Sequence, residues 1–288
     1  MTVQNEATDK ADTTPHNRDK NYRVSKDRAF LKALSVSNGA GDIKPTMYSK
    51  YRQICRFIEI FTERLERTQA VKQKRVKVLD IGSGKGYLTF AMYDQLTKAG
   101  LNPKIDGVDT RAEMIDLCNA AAKSCSFDNL AFHNMKAEDF VEGYYDAIIA
   151  LHACDTATDD ALFHGIKLKS KLIVCAPCCQ HEVLVDLQKS TAQNAKFISH
   201  GLFLQKQADL ITDNSRVMLL KSQGYQVDVI DFVPTEHTQK NTLIAATRKN
   251  KPSQEHVKEY ENYKKAFGFN GIKLEELMRN DGLIRAKR

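Results

Sequence analysis

The 288 residues predict a doubly wound α/β fold: a seven-stranded, mostly parallel sheet with helices on both faces. Three observations carry this. Seven short runs rich in Val, Ile, Leu and Ala alternate with stretches of helical length, as strands covered on both faces do. The first run, 76–81, enters Gly82-Ser83-Gly84-Lys85-Gly86, a strand-to-helix turn almost free of side chains. The second run, 104–109, ends in Asp109, so that acids at two strand ends, Asp80 and Asp109, flank that turn.

In chain order, residues 1–27 have too few apolar side chains to offset the entropy of ordering and are expected to be a disordered tail. Phe30 to Leu34 fit a short helical turn, and Gly39-Ala40-Gly41-Asp42 reads as a loop. From Pro45 onward Met47, Tyr51, Ile54, Ile58, Phe61 and Leu65 recur at steps of four and three, giving a helix with one apolar face and Arg52 and Arg56 on the other. Strands are expected near 76–81, 104–109, 130–134, 146–151, 172–176, 226–232 and 242–247. The interval 183–224 exceeds one helix, so an extra helical element is expected there, carrying Asp213 and Arg216. Tyr260, Tyr263 and Phe267 sit at helical spacing in a basic C-terminal segment. The organisation is thus a tail (1–27), a basic helical extension (28–74), a central domain (75–248) and a second basic helical extension (249–288).

Glycines at 82, 84 and 86 permit positive φ and let a ligand approach the backbone, while the next helix points unpaired N–H groups at it. A dinucleotide loop reads G-x-G-x-x-G; here the third glycine falls one place early and Tyr87 takes the later position, which argues against NAD. Asp80 would repel a pyrophosphate but suits an ammonium group, and Asp109 suits a ribose diol. Asp80, Gly82, Ser83, Gly84, Gly86 and Asp109 together resemble the donor site of the class I S-adenosylmethionine-dependent methyltransferases, whose fold is a Rossmann-like sheet closed by a hairpin with an antiparallel final strand. That resemblance implies S-adenosyl-L-methionine as cofactor and places Glu138, after the third strand, against the adenine.

In such a sheet the residues just past the strands face the ligand. The fourth strand runs into His152-Ala153-Cys154-Asp155 and on to Asp159; the fifth runs into Pro177-Cys178-Cys179-Gln180-His181. His152-x-Cys154-x-x-Ala157-Thr158-Asp159 with Cys178-Cys179-x-His181 resembles the methyltransferase-32 group, which includes tRNA 2′-O-methyltransferases and glutathione-transferase-C-terminal-domain-containing proteins. Asp155 stands where that group usually has glycine, Gln180 where its tRNA enzymes have histidine, and their zinc-finger segments have no counterpart, so substrate identity does not carry over. The turn Glu236-His237-Thr238-Gln239-Lys240-Asn241 resembles a motif of bacterial members. Two routes stay open. His152 or Asp159 can accept or steer a proton from a hydroxyl or ring nitrogen, or Cys178 or Cys179 can add to a pyrimidine as thiolate. Cys154, Cys178, Cys179 and His181 lack the usual C-x₂-C spacing, and no metal is expected. Cys175 reads as a small buried hydrophobe, and His133 and His164 as structural.

The net charge of +7 is unevenly spread: residues 44–77 hold 10 basic against 3 acidic side chains, whereas 78–247 hold 15 against 21. Basic flanks on an acidic centre suit an anionic polymer, so RNA is the expected partner, with Lys50, Arg52 and Arg56 as phosphate contacts. A small-molecule or protein methyltransferase, or a nucleic-acid binder that keeps the donor pocket without catalysis, are the other classes. No apolar run reaches the roughly 18 residues of a membrane span and no export signal is evident. With seven cysteines, an odd number, the chain is expected to be cytoplasmic with reduced thiols.

Overall fold

The computed structural model describes residues 24–140, 143–151, 157–177, 181–190, 200–232 and 241–285. Strands β1 (Arg75–Ile81), β2 (Asn102–Asp109), β3 (Leu130–Asn134), β4 (Ala147–Leu151), β5 (Leu172–Ala176), β6 (Tyr225–Asp231) and β7 (Thr242–Arg248) form one seven-stranded sheet in the order β3-β2-β1-β4-β5-β7-β6. β1 to β5 pair in parallel; β7 lies antiparallel between β5 and β6. Each strand lies within two residues of its expected bounds. The strand order reverses between β1 and β4, and it is outside the carboxyl ends of strands at such a reversal that doubly wound sheets bind ligands.

Alternation along the strands divides the core into two layers. Val78, Ile105, Ile149 and Val174 face α1 (Ala29–Ala33), α2 (Tyr48–Glu66), α3 (Tyr87–Lys98) and α4 (Ala112–Ser124). Leu79, Val108, Ile148 and Ile173 face α5 (Ala157–Lys167), α6 (Glu182–Lys189), α7 (Gly201–Ser222), α8 (Gln254–Phe267) and α9 (Lys273–Asn280). On the first face the rings of Phe30, Phe90, Phe127 and Phe132 pack with centroids 5.6–6.5 Å apart. Phe132 explains Gly107: a Cβ there would lie 2.5 Å from the ring, so β2 can bring Asp109 to the site only with glycine two residues earlier.

The apolar stripe of α2 is buried through Tyr51, Ile54, Ile58, Phe61 and Leu65, and Phe57 meets Phe232 edge-on at 6.1 Å. Both helical extensions contribute to the core: Phe30 and Phe61 lie in the first layer, and Tyr260, Leu274 and Met278 in the second, each at most 1% exposed. Among the described residues no helix is long and apolar enough to cross a membrane.

Candidate functional site

β1 ends at Ile81, and the chain turns at once. Gly82 N–H and Ser83 N–H both donate to Val108 O, at 2.9 and 3.1 Å, which fastens the loop to the end of β2. Gly82, Gly84 and Gly86 take φ of 74, 57 and 67°, a run only glycines hold without strain. Cys118, which the sequence did not single out, lies beneath with its thiol 3.6 Å from Gly84 O. Burial, then the charges of Asp80 and Asp109, push that thiol up to about 12, so it stays protonated as a prop for the loop.

The two acids differ in setting. Asp80 is 2% exposed and accepts from Thr89 Oγ1 at 2.7 Å. Burial raises its pKa to about 7, the Thr89 bond opposing and the charge of Asp109 adding to the rise. Asp109 accepts four hydrogen bonds: Gly84 N–H and Arg111 Nη2 on one oxygen, Arg111 N–H and Nε on the other, all at 2.9–3.0 Å. Burial works to raise its pKa, but the bonds from Arg111 and Gly84 outweigh burial and leave it below the usual carboxylate range. Ser83 Oγ is buried with no hydrogen-bond partner among the described residues.

Beside the loop opens a cavity of about 560 Å³, walled by Val108, Met135, Ala137 and Ala157 on the apolar side. Asp109, Glu138 and Asp160 bring carboxylates to it, each beside a cation: Arg111, Lys136 and Lys273. An apolar slot edged by hydrogen-bonding groups is the kind of space a purine nucleoside fills. The loop's bare backbone at Gly82 and the Asp109 carboxylate, both on the cavity wall, therefore fit the nucleoside of S-adenosylmethionine.

Of the expected rim residues, His152, Cys154, Cys178 and Cys179 lie outside the described residues, as do Asp155, Gln180, His237 and Lys240. The strands leading to them are neighbours, with Leu151 of β4 paired to Ala176 of β5. His181 stands at the residue before α6, makes no side-chain bond to the helix end and is exposed. Asp159 needs a correction. It is 1% exposed, and both its oxygens are held at 2.9 Å by Arg216, which also donates to Asp213 at 3.0 Å. A carboxylate 1% exposed and held on both oxygens by an equally buried guanidinium does not face a substrate, so Asp159 is a structural anchor and not a proton acceptor. The sequence held the clue, since Asp213 and Arg216 are three apart on one helix, but only the fold brings Asp159 to them.

Cys175 is fully buried, and His133 bonds Asp106 at 2.8 Å, itself bonded by Tyr145. Among the described residues no group of three or more His, Cys, Asp or Glu is arranged to hold a metal ion. The basic face of α2 is narrower than its composition implies: Arg56 pairs with Glu59, Arg67 with Glu63, and Arg64 with Asp228. Lys50 differs. Its ammonium stands 5.1 Å over the ring of Tyr87, the residue that follows the glycine loop, and partial burial and the charge of nearby Lys85 lower its pKa. Neither Lys50 nor Lys85 pairs with a carboxylate among the described residues.

Residues 49–186 match the methyltransferase-32 family, described as a methyltransferase domain. Among curated proteins, the glutathione S-transferase C-terminal domain-containing proteins of Homo sapiens and Macaca fascicularis are each 22% identical over 193 residues, 58% of this chain and 29% of theirs. The chain thus spans under a third of the length of these relatives. Among solved structures, an rRNA methylase from Streptococcus thermophilus aligns with TM-score 0.41 at 12% identity over 61% of this chain and 87% of that one. A fibrillarin pre-rRNA processing protein from Methanococcus jannaschii aligns with TM-score 0.41 at 13% identity over 62% and 68%.

Proposed function

We propose that this chain, whose residues 49–186 match the methyltransferase-32 family, is a class I methyltransferase that uses S-adenosylmethionine to methylate RNA. The carrying observation for the donor is a loop of three positive-φ glycines tied to Asp109 at the edge of the cavity. When bound, S-adenosylmethionine supplies a sulfonium methyl group, whose transfer depends chiefly on alignment with the nucleophile. The residues then divide the work. The glycine loop would admit the donor against the backbone, Asp109 would take the ribose hydroxyls, and Asp80 would counter the ammonium. His152, the residue after β4, takes the proton from the nucleophile, with Cys154, Cys178, Cys179 and His181 forming the rest of the rim.

Arg111 competes for Asp109. Its guanidinium fills the lone pairs a ribose diol would use, yet its side chain is 63% exposed and free to swing out. Arg111→Ala is expected to tighten binding of S-adenosylhomocysteine by roughly threefold, the scale of an exposed ion pair. Calorimetry checks this; weaker binding would mean that Arg111 holds the donor instead of excluding it.

RNA is favoured by Lys50 and Lys85, two cations crowded together beside the donor loop with no carboxylate to neutralise them among the described residues. The protein is incubated with tritium-labelled donor and total RNA. Label is expected in RNA, with binding that weakens steeply as salt rises, and the Lys50→Ala, Lys85→Ala double variant is expected to raise the KM for RNA about tenfold and lessen that salt dependence. Label in protein or small-molecule fractions alone, or RNA binding indifferent to salt, would overturn the substrate assignment.

A further inference from the structure

Three carboxylates face the donor cavity, and their cations are not equivalent. Arg111 and Lys136 lie two residues from their partners, with side chains 63% and 68% exposed. Lys273 reaches Asp160 across 113 residues of sequence. Its Nζ lies 2.8 and 3.0 Å from the two oxygens of Asp160, and the side chains are 27% and 21% exposed.

Lys273 is also held firmly from behind. Its backbone N–H donates to Glu182 Oε2 at 3.2 Å, and Asn270 donates twice to Asp186 at 2.7 and 2.8 Å, so the turn before α9 is fastened to α6. Leu274 and Met278 of α9 are fully buried. Lys273 is therefore part of the cavity wall and not a loose surface lysine meeting an acid by chance.

The chemistry of the pair is specific. An ammonium has three N–H donors and Asp160 engages two directions of Lys273, which leaves one; each Asp160 oxygen accepts one bond and has a lone pair to spare. The pair thus offers the cavity an acceptor beside a donor. The edge of adenine offers the complement, an amino donor beside a ring-nitrogen acceptor. Hypoxanthine, with a carbonyl in place of the amino group and a protonated ring nitrogen, reverses the order and meets like against like.

We propose that Asp160 and Lys273 together read the adenine of the donor, Lys273 also positioning Asp160, so that the C-terminal helix α9 is a working part of the donor site. This rests on the donor reading above. It also assigns base recognition to α5 and α9 in place of Glu138, which is exposed and, among the described residues, pairs with Lys136 alone at 3.4 Å.

The test compares S-adenosylhomocysteine with its inosine counterpart, S-inosylhomocysteine, by calorimetry on the full chain. The wild type is expected to prefer the adenosyl ligand by at least about 30-fold, since a polar edge facing the wrong partners is left unpaired. Lys273→Ala and Asp160→Asn are each expected to shrink that preference to within about threefold, Lys273→Arg to retain most of it, and Glu138→Gln to leave it unchanged. The ratio is read within one variant, so a loss of stability that lowers both affinities alike does not move it. An unchanged ratio in Lys273→Ala and Asp160→Asn, or a collapsed ratio in Glu138→Gln, overturns the proposal. Absence of any binding of S-adenosylhomocysteine to the wild type would overturn the donor reading itself.

Discussion

Replacing Asp80 with asparagine is expected to weaken binding of S-adenosylhomocysteine by at least about 30-fold and, at the same time, to make the free protein more stable above neutral pH. The first effect follows from removing the counter-charge of a buried ammonium, where truncating one partner costs about 2–5 kcal/mol. The second follows from the raised pKa. Asp80 goes from the ordinary 3.8 to about 7 on folding because burial disfavours its charged form. Below about pH 4 both folded and unfolded chains hold the proton, and Asp80 contributes no penalty. Between about 4 and 7 the unfolded chain loses it while the fold retains it, so stability declines as pH rises. Above 7 both are ionised and the full penalty stands, on the order of 2–4 kcal/mol. Urea unfolding at pH 8 should therefore show Asp80→Asn more stable than the wild type, with the gap closing towards pH 4. A variant less stable than the wild type at pH 8, or one that binds the ligand normally, contradicts this role.

Arg216 carries the second large effect. Its guanidinium is 1% exposed and spends three N–H groups on Asp159 and Asp213, with its pKa raised by Asp159 and Asp213 against the opposing pull of burial. Arg216→Met strands the Asp159 carboxylate in the core and is expected to cost about 3–5 kcal/mol, a fall in melting temperature on the order of 10 °C. Pairing it with Asp159→Leu removes that stranded charge and should recover about half of the loss, because apolar replacement of a buried pair is often close to neutral. A double variant as unstable as the single would show that packing, not charge, holds this region. Asp159→Asn also separates anchor from catalyst: an anchor loses stability, whereas a catalytic acid loses turnover with its stability intact.

The sheet was legible because its strands are short, apolar and bounded by glycines and acids, so their bounds fall within two residues of the observed ones. The donor loop was legible for the same reason: positive φ demands glycine, and Gly82, Gly84 and Gly86 announce it. What the sequence did not convey depends on contacts between distant segments. Asp159 belonged to a convincing rim motif, yet Arg216, 57 residues away, takes both its oxygens. Lys273 looked like one more charge in a basic tail, and only the packing of α9 on α5 and α6 sets it beside Asp160. Charge counts misled in the same way: α2 is rich in arginine, but Glu59, Glu63 and Asp228 take up much of that charge, leaving Lys50 by the donor loop as the distinctive cation.

The account turns on an adenosyl ligand held between Asp80 and Asp109. Calorimetric titration of the wild type with S-adenosylhomocysteine, at pH 6 and pH 8 and in buffers of different ionisation enthalpy, tests it most directly. Binding is expected to be about tenfold tighter at pH 8 than at pH 6, with about one proton released at pH 6 as the ligand's ammonium draws Asp80 into its charged form. No binding heat at either pH, or an affinity that is flat with pH and releases no proton, would contradict it.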